Sequence, residues 1–369
     1  MISVNHQFLL VLDYIGISKN KLFKFYELFK SEQNLFDCFN DAPEKFYGVL
    51  TKEEFKNLKT AILSDFHLKL IAKLAKMKIS CVFIDDIEYP EHLLNIPCPP
   101  VVLYYIGDLS LLSKPCVSII GTRTPTRYGK DVTDIFAKSL ASVGIVTISG
   151  LAYGLDGIVA SSTIEVGGKT VAVLGGGLDK IYPSSHVDLA RKVVKSGGLL
   201  LSEYLPGVKP QKHFFIERNR VIAGLSSGLI ITEAGEASGT LSTAKFAIDY
   251  GRELFVVPGN ITSEKSLGSN KLIAELPDSF TISPSEVIAR LGYADKISVN
   301  TSRDKEYVNL SDDEKLILSL LGDYELSFDE LCDMTKFPTK SLATLLTRME
   351  ISGLIKKLPG NFYCANKNI

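Results

Sequence analysis

Six short apolar runs alternate with helical stretches in the middle of this 369-residue chain, and no other feature constrains the fold as much. The runs occupy residues 117–120, 144–148, 170–174, 198–202, 228–232 and 253–257. Continuous apolar strands with helices between them are typical of a parallel sheet that is covered on both faces. The pattern predicts an α/β fold with an extended Rossmann-like, doubly wound parallel sheet over residues 76–292.

Most of these runs end in a turn of small residues, and ligands of a doubly wound sheet bind at the carboxyl ends of its strands. The first turn contains Gly121, Thr122, Arg123 and Arg127 and leads into a helix predicted over residues 128–143. Backbone N–H groups and the positive end of the helix dipole favour a phosphate site here over a plain tight turn. The sequence contains neither GxGxxG nor GxxxxGK[ST], so neither a dinucleotide nor P-loop ATP chemistry is indicated.

A second turn contains Ser238, Gly239 and Thr240 and precedes an apolar helical pattern. Ser238 or Thr240 can cap that helix. A cap needs no ligand, so a structural role is favoured for this turn alone. Its N–H donors nevertheless face the same sheet edge as the first turn.

The segment that precedes the fifth run combines cations with two adjacent aromatic rings. It contains Lys209, Lys212, His213, Phe214, Phe215, Arg218, Asn219 and Arg220. Cations neutralise phosphates and a ring offers a stacking face to any base, so this composition suits single-stranded nucleic acid. Two buried rings beside a solvated basic loop explain the segment equally well.

If this segment is helical, a rotation of about 100° per residue separates the roles of its two arginines. Arg218 lies on the face of Val221, Ile222 and Leu225, and is predicted to form a partly buried structural ion pair. Arg220 lies on the opposite side of the helix and is predicted to contact phosphate.

Composition and charge exclude several classes of protein. The net charge of −1 means that nucleic-acid binding must come from a local patch. No apolar run approaches the roughly 20 residues of a membrane span, and the N-terminus lacks a signal-peptide pattern, so a cytoplasmic location is expected. The spacing of the six cysteines and five histidines indicates neither a zinc site nor a disulfide framework, and no cofactor is expected.

Acid–base catalysis is not indicated by the residues at the strand ends. Asp156, Glu203, Glu233 and Glu236 lie there, but no His, Cys or Ser is spaced to form a nucleophile with them. These carboxylates are expected to be caps or partners of the arginines.

A helical region precedes the sheet. Within residues 1–75, apolar positions at helical spacing on both sides of Gly16 predict two short helices, the second including Leu22, Phe25 and Leu28. The pattern fits a sterile-alpha-motif-like or helix-hairpin-helix module, or a small packing domain.

A polar linker over residues 293–309 separates the sheet from a C-terminal unit, residues 310–369. Ser311-x-x-Glu314 and Ser327-x-x-Glu330 predict two capped helices, and a third helix and a hairpin complete a winged helix. From Ser311 onward, the sequence contains seven Lys and Arg and nine Asp and Glu, which gives a net charge of −2. This charge favours a protein contact or packing role over DNA binding.

Eight motifs in this order resemble those of the bacterial DNA-processing protein A (DprA/Smf) family. They are SIIGTR at 118–123, SGLAYGLD at 149–156, VLGGGLDKIYP at 173–183, SE at 202–203, FxxRNRVIAGLS at 215–226, SGTxxTA at 238–244, GRExxxVPG at 251–259 and GSNxLI at 268–273. The resemblance implies a non-enzymatic protein that binds and protects incoming single-stranded DNA during natural transformation and loads RecA recombinase onto it. It also implies a homodimer formed by the Rossmann domain.

The resemblance assigns a phosphate site to residues 121–123, a stacking ring to Phe215 and groove positions to residues 218–220, with Lys169 as an additional candidate. Many family members have a histidine where this chain has Ala160, so a role for that histidine is not carried over. The complete predicted site comprises Gly121, Thr122, Arg123, Arg127, Lys169, Lys212, Phe215, Arg218, Asn219, Arg220, Ser238, Gly239 and Thr240.

Two other classes of protein compete with this interpretation. Residues 233–240 faintly resemble the turn of Rossmann-like nucleotide phosphoribohydrolases of the lysine-decarboxylase-like group, in which a glutamate follows Gly-Thr. Here Leu-Ser-Thr-Ala follows Gly239-Thr240 instead. The third class is a purely structural scaffold for recombinase assembly.

Overall fold

The computed structural model describes residues 2–236, 238–293, 310–322 and 324–365. The chain divides into two compact units, 1–298 and 299–369, which are described separately. Apart from Tyr293, the predicted linker lies outside the described residues. The boundary near residue 75 stays a prediction, because one apolar core runs from the N-terminal helices into the sheet.

The first unit contains an eight-stranded sheet in the order β1-β2-β6-β5-β4-β3-β7-β8. The strands are β1 Ser80–Phe83, β2 Val102–Gly107, β3 Cys116–Ile120, β4 Val146–Ser149, β5 Thr170–Leu174, β6 Leu199–Ser202, β7 Gly228–Ile231 and β8 Glu253–Val256. All six predicted runs form strands, and these six are parallel. β1 and β2 were not predicted, and they add an antiparallel edge because β2 pairs antiparallel with both β1 and β6.

Helices cover both faces of the sheet, as predicted for a doubly wound fold. The helices of the first unit are α1 Val4–Tyr14, α2 Lys19–Phe29, α3 Leu35–Asp41, α4 Lys52–Leu63, α5 Phe66–Lys76, α6 Glu91–Leu94, α7 Arg127–Ser142, α8 Leu155–Glu165, α9 Val187–Lys195, α10 Lys212–Leu225, α11 Thr240–Asp249, α12 Leu267–Glu275 and α13 Pro284–Arg290. The helix predicted over 128–143 is α7, whose N-cap Thr126 accepts a hydrogen bond from Gly129 N. The segment around Phe214 and Phe215 is helical and begins α10.

The sheet changes winding direction at β3. Strands β4, β5 and β6 follow on one side of β3, and the chain then returns to place β7 and β8 on its other side. The loops after β3 and β7 therefore diverge to opposite faces of the sheet and leave a crevice between them. In sheets of this type, that crevice is the usual ligand site.

The first 76 residues form five helices around a cluster of aromatic rings. Both predicted helices are present, as α1 and α2, and Gly16 between them has a φ of 81°, which favours glycine. Phe8, Phe25 and Phe46 are fully buried. Leu28, which was predicted to share the apolar spacing, is 64% exposed.

The second unit has the elements of a winged helix. They are α14 Asp312–Leu321, β9 Leu326–Ser327, α15 Phe328–Thr335, α16 Thr339–Ile351, β10 Ile355–Leu358 and β11 Phe362–Ala365. Both predicted capping boxes are confirmed, at Ser311 with Glu314 and at Ser327 with Glu330. The predicted hairpin is the β10–β11 pair, and β9 adds a third antiparallel strand that was not predicted. Across the described ranges of both units, no helix is long and apolar enough to cross a membrane.

Loss of the first capping box should loosen the winged helix. Ser311 Oγ accepts from Glu314 N at 3.3 Å, and Glu314 Oε2 accepts from Ser311 N at 2.8 Å. Ser311→Ala removes the first bond, so we expect the opening free energy of α14 amides to fall by about 1 kcal/mol. Native-state hydrogen exchange of the full chain measures this value.

Ser319→Ala is the matched control on the same helix. The exposed Ser319 hydroxyl donates only to Leu316 O, so its loss should change the opening free energy by less than about 0.5 kcal/mol. Equal protection in Ser311→Ala and wild-type protein would show that the capping box does not stabilise this unit.

Candidate nucleic-acid interface

A cleft of about 760 Å³ lies at the carboxyl ends of β3 and β7. Its lining includes eight residues of the predicted site, namely Gly121, Thr122, Arg123, Arg218, Asn219, Ser238, Gly239 and Thr240. The two turns and the basic segment, which are distant in sequence, thus meet at the crevice where the sheet changes direction. The cleft is therefore the candidate functional site.

A carboxylate of the protein lies at the N-terminus of α7, where a phosphate was predicted. Glu233, which follows β7 and is 1% exposed, accepts from Thr126 N at 2.9 Å and from Thr126 Oγ1 at 2.5 Å. Thr122 N donates to Glu233 O at 2.9 Å. A protein carboxylate thus occupies the anion position of this helix, as expected of a cap. Arg123 is exposed and lines the cleft, so a phosphate contact from its side chain stays a prediction.

The glycines of the strand-end turns serve close packing. A Cβ on Gly150 would lie 2.1 Å from Arg218 Nη1, and a Cβ on Gly154 would lie 2.4 Å from Thr122 O. Gly154 also has a φ of 78°, which disfavours side chains. A Cβ on Gly175 would lie 3.0 Å from the Phe215 ring. These turns let the loop after β4 and helix α10 approach the sheet edge.

Arg218 forms the floor of the cleft. It is 4% exposed, and its Nη1 donates to Gly150 O at 2.7 Å and to Val173 O at 2.5 Å. Its predicted burial is confirmed, but its partners are carbonyl groups rather than the predicted carboxylate. Burial lowers the pKa of Arg218 to about 10, and Asp156 opposes that shift. The guanidinium therefore stays charged at neutral pH.

Arg220 forms the buried ion pair that was predicted for Arg218. Its Nη2 lies 2.6 Å from both carboxylate oxygens of Glu203, and its Nη1 donates to Cys98 O at 2.7 Å. Both partners are buried, with side-chain exposures of 11% and 4%. The predicted phosphate contact from Arg220 is thus corrected: its guanidinium is engaged by the protein and does not line the cleft.

The two phenylalanines of α10 have different surroundings. Phe214 stacks on Tyr204 with ring centroids 4.2 Å apart. Phe215 is half-buried, and the Arg123 guanidinium lies 5.4 Å from its ring centroid. Lys212 is exposed three residues earlier on the same helix, which places it on the same side as Phe215. The predicted combination of cation and ring therefore exists at Arg123 and Phe215, beside the cleft.

Two predicted site residues lie away from the cleft. Lys169 precedes β5 and donates to Ser196 O, at the amino end of the sheet, so its DNA contact stays a prediction. Arg127 begins α7, is 69% exposed at its side chain and lies 3.8 Å from Asp131. Neither residue lines the cleft.

The second turn is built differently from the prediction. Gly239 occupies the N-cap position of α11, and neither Ser238 nor Thr240 does. Ser238 Oγ accepts from Thr240 N at 3.2 Å and donates to Thr240 Oγ1 at 2.9 Å. The turn nevertheless lines the cleft, as expected from its position after β7.

Three residues in or near the cleft were not predicted. Lys265 lines the cleft and donates to Thr124 Oγ1 at 2.7 Å. Tyr182 lies in the loop after β5, and its ring centroid is 5.5 Å from that of Phe215. Tyr153 lies in the loop after β4, and its ring centroid is 6.2 Å from that of Tyr182. Each tyrosine follows the end of a predicted strand, and this position could have identified both as candidate site residues. Lys265 lies far in sequence from the predicted site residues of the first turn, and no pattern around it indicated a site.

The fold and the site together define a class of protein: a Rossmann-like protein with a cleft at the change of winding direction and an arginine–phenylalanine pair beside it, followed in sequence by a winged helix. The sequence matches the family described as DNA recombination-mediator protein A over residues 80–292, more than half of the chain. It matches the DprA winged helix domain over residues 302–361. The chain belongs to the DprA family and has a DNA-processing role.

Three relatives illustrate the similarity. The chain is 41% identical over 208 residues to DNA processing protein DprA of Bacillus subtilis, which covers 56% of this chain and 70% of the relative. The structure of DprA from Streptococcus pneumoniae matches with a TM-score of 0.64 and 31% identity, covering 77% of this chain and 97% of that one. The structure of the Helicobacter pylori protein matches with a TM-score of 0.52 and 34% identity, covering 58% and 95%.

Removing Arg220 should destabilise the first unit. Arg220→Ala leaves the buried Glu203 carboxylate without its ion-pair partner, so we expect the free energy of unfolding to fall by about 3–5 kcal/mol. Chemical denaturation followed by circular dichroism measures the loss.

The double variant Glu203→Gln/Arg220→Met is the control for this prediction. It removes both charges together and should lose less stability than Arg220→Ala alone. Arg220→Ala with wild-type stability would contradict the structural role assigned to the ion pair.

Proposed function

We propose that this protein binds single-stranded DNA along the cleft and α10, protects the incoming strand, and loads RecA recombinase onto it during natural transformation and recombination. The observation that carries the proposal is the exposed Arg123 over the half-exposed Phe215 ring. A cation pairs with phosphate while the ring stacks on a base, without reading the sequence. The Helicobacter pylori relative, whose structure concerns a unique single-stranded DNA binding mode, supports the same ligand class.

Single strands fit this site better than a duplex does. Stacking on Phe215 requires a base with a free face, and bases within a duplex are already stacked on their neighbours. The whole chain carries a net charge of −1, so it lacks the extended basic surface that contacts both strands of a duplex. The local cations Arg123, Lys212 and Lys265 can instead follow one backbone.

RecA loading, homodimer formation and a cytoplasmic location are supported by membership of the DprA family and by the order of its motifs. Sedimentation of the purified chain tests the dimer. RecA filament assembly on an oligonucleotide covered with single-strand binding protein tests the loading step. An unchanged assembly rate with the chain present would remove RecA loading from the proposal while leaving DNA binding intact.

The alternative function, nucleotide phosphoribohydrolysis, needs a carboxylate that reaches the ligand. Glu233 is buried, and both of its oxygens accept hydrogen bonds from Thr126. This arrangement supports a capping role. In a nucleoside monophosphate hydrolysis assay we expect no release of free base, and turnover that Glu233→Gln abolishes would favour the enzyme.

Fluorescence anisotropy should show salt-sensitive preference for a single-stranded oligonucleotide over its duplex. Arg123→Ala should weaken single-strand binding and reduce the salt slope by about 1, because one phosphate contact is lost. Phe215→Ala should lose about 1–3 kcal/mol of stacking energy.

Arg191→Ala is the matched control for these variants. Arg191 is 69% exposed on α9 and pairs with Asp188, so its loss should leave affinity and salt slope unchanged. Salt-independent or absent binding by the wild-type chain would favour the purely structural scaffold. Wild-type affinity in both Arg123→Ala and Phe215→Ala would place the DNA elsewhere.

A further inference from the structure

We propose that Tyr182 and Tyr153 extend the stacking surface that begins at Phe215, so that successive bases of the strand contact three rings. The inference rests on the proposed single-strand binding and adds two residues to its site. Both tyrosines lie in loops at the carboxyl edge of the sheet, after β5 and β4 respectively. Neither belongs to the basic segment that first indicated nucleic acid.

The three rings form a continuous row. The centroids of Phe215 and Tyr182 are 5.5 Å apart with the ring planes inclined by 50°, and those of Tyr182 and Tyr153 are 6.2 Å apart with an inclination of 80°. In such tilted and edge-to-face contacts the rings do not stack on one another, so they leave ring faces uncovered, although Arg123 lies over the Phe215 ring. The row therefore keeps surfaces on which flat, apolar groups can stack.

The exposure of the two tyrosines favours a ligand over simple packing. Tyr182 is 46% exposed and Tyr153 is 44% exposed, although they contact each other. Adjacent rings that remain nearly half in water form an apolar patch, and such patches often mark interaction sites. Among the described residues, neither hydroxyl has a hydrogen-bond partner that would explain its position.

The loop that carries Tyr153 is held in place. His186 lies 5.9 Å from the Tyr153 ring, and its Nδ1 is 3.0 Å from Leu151 O. Gly154 packs directly on the backbone of Thr122 and Arg123. A ring on a fixed loop loses little conformational entropy when a base stacks on it, which strengthens binding.

Close to Tyr182 and Phe215 in sequence, three exposed lysines stand against two carboxylates, Asp179 and Glu217. Lys180, Lys209 and Lys212 are exposed near the rings in sequence, and none forms an ion pair with a carboxylate in the described part of the chain. Asp179 Oδ1 accepts from Gly207 N at 2.7 Å, and Glu217 Oε2 accepts from Tyr204 OH at 2.7 Å. A ligand with repeated negative charges and flat apolar groups fits this surface, and single-stranded DNA has both.

The test compares an oligothymidylate with an abasic oligomer of the same length, which has the phosphates but no bases. Tyr182→Ala and Tyr153→Ala should each weaken oligothymidylate binding by about 5- to 100-fold and change abasic binding by less than about twofold. Tyr182→Phe and Tyr153→Phe should retain wild-type affinity because the stacking face remains. Tyr47→Ala is the control, since Tyr47 is 62% exposed among the N-terminal helices.

Photocrosslinking gives a second measurement on the unaltered chain. An oligonucleotide that contains 5-iodouracil should form adducts at Tyr153 and Tyr182, located by mass spectrometry. Equal losses for both oligomers, no loss in either alanine variant, or adducts confined to Phe215 would overturn the inference while wild-type binding persists. If the wild-type chain binds neither oligomer, the proposed function itself fails.

Discussion

The buried ion pair between Glu203 and Arg220 fixes helix α10 on the sheet, and the whole interface depends on the position of that helix. Arg220 contacts both oxygens of Glu203 and the carbonyl of Cys98, so it joins α10 to the end of β6 and to the segment before β2. Two residues earlier, Arg218 donates to carbonyls after β4 and within β5. Phe215 lies one turn before Arg218 and is placed by these bonds. Buried charges that are fully paired allow few alternative positions.

The same network extends to the N-terminal helices. Lys19 Nζ donates to Glu203 O at 2.6 Å and to Asp13 Oδ1 at 2.5 Å, and Tyr104 OH donates to Asp13 Oδ2 at 2.8 Å. A single chain of polar contacts therefore links α1, α2, β2 and the residue that holds α10. The apolar core also continues from these helices into the sheet. The N-terminal helices therefore help to hold the part of the sheet on which α10, with Phe215, is packed.

Periodicity predicted the parts of the fold whose local pattern matches their environment. The six buried strands and both capping boxes are of this kind, because burial on two faces and side-chain capping leave direct marks on the sequence. The antiparallel strands β1 and β2 were missed although both lie in apolar runs, at 81–84 and 101–106, because these runs fall outside the alternation of parallel strands and helices from which the sheet was predicted. The roles of Arg218 and Arg220 were exchanged for a related reason: the partner of Arg220 is Glu203, which is distant in sequence. Helical periodicity predicts which face of a helix is more apolar, but it does not show which residues of other elements contact that face.

The charge of the cleft follows from where the protein uses its acids. Glu233 caps α7, Asp156 accepts from the backbone N–H groups of Gly150 and Ala152, and Glu203 pairs with Arg220. These carboxylates are buried, and the exposed charges of the cleft lining are two cations, Arg123 and Lys265, and two acids, Glu236 and Glu264. A small number of free cations supports few phosphate contacts and a modest salt dependence. Base stacking must then supply much of the affinity, which is what a row of half-exposed rings beside the cleft can provide.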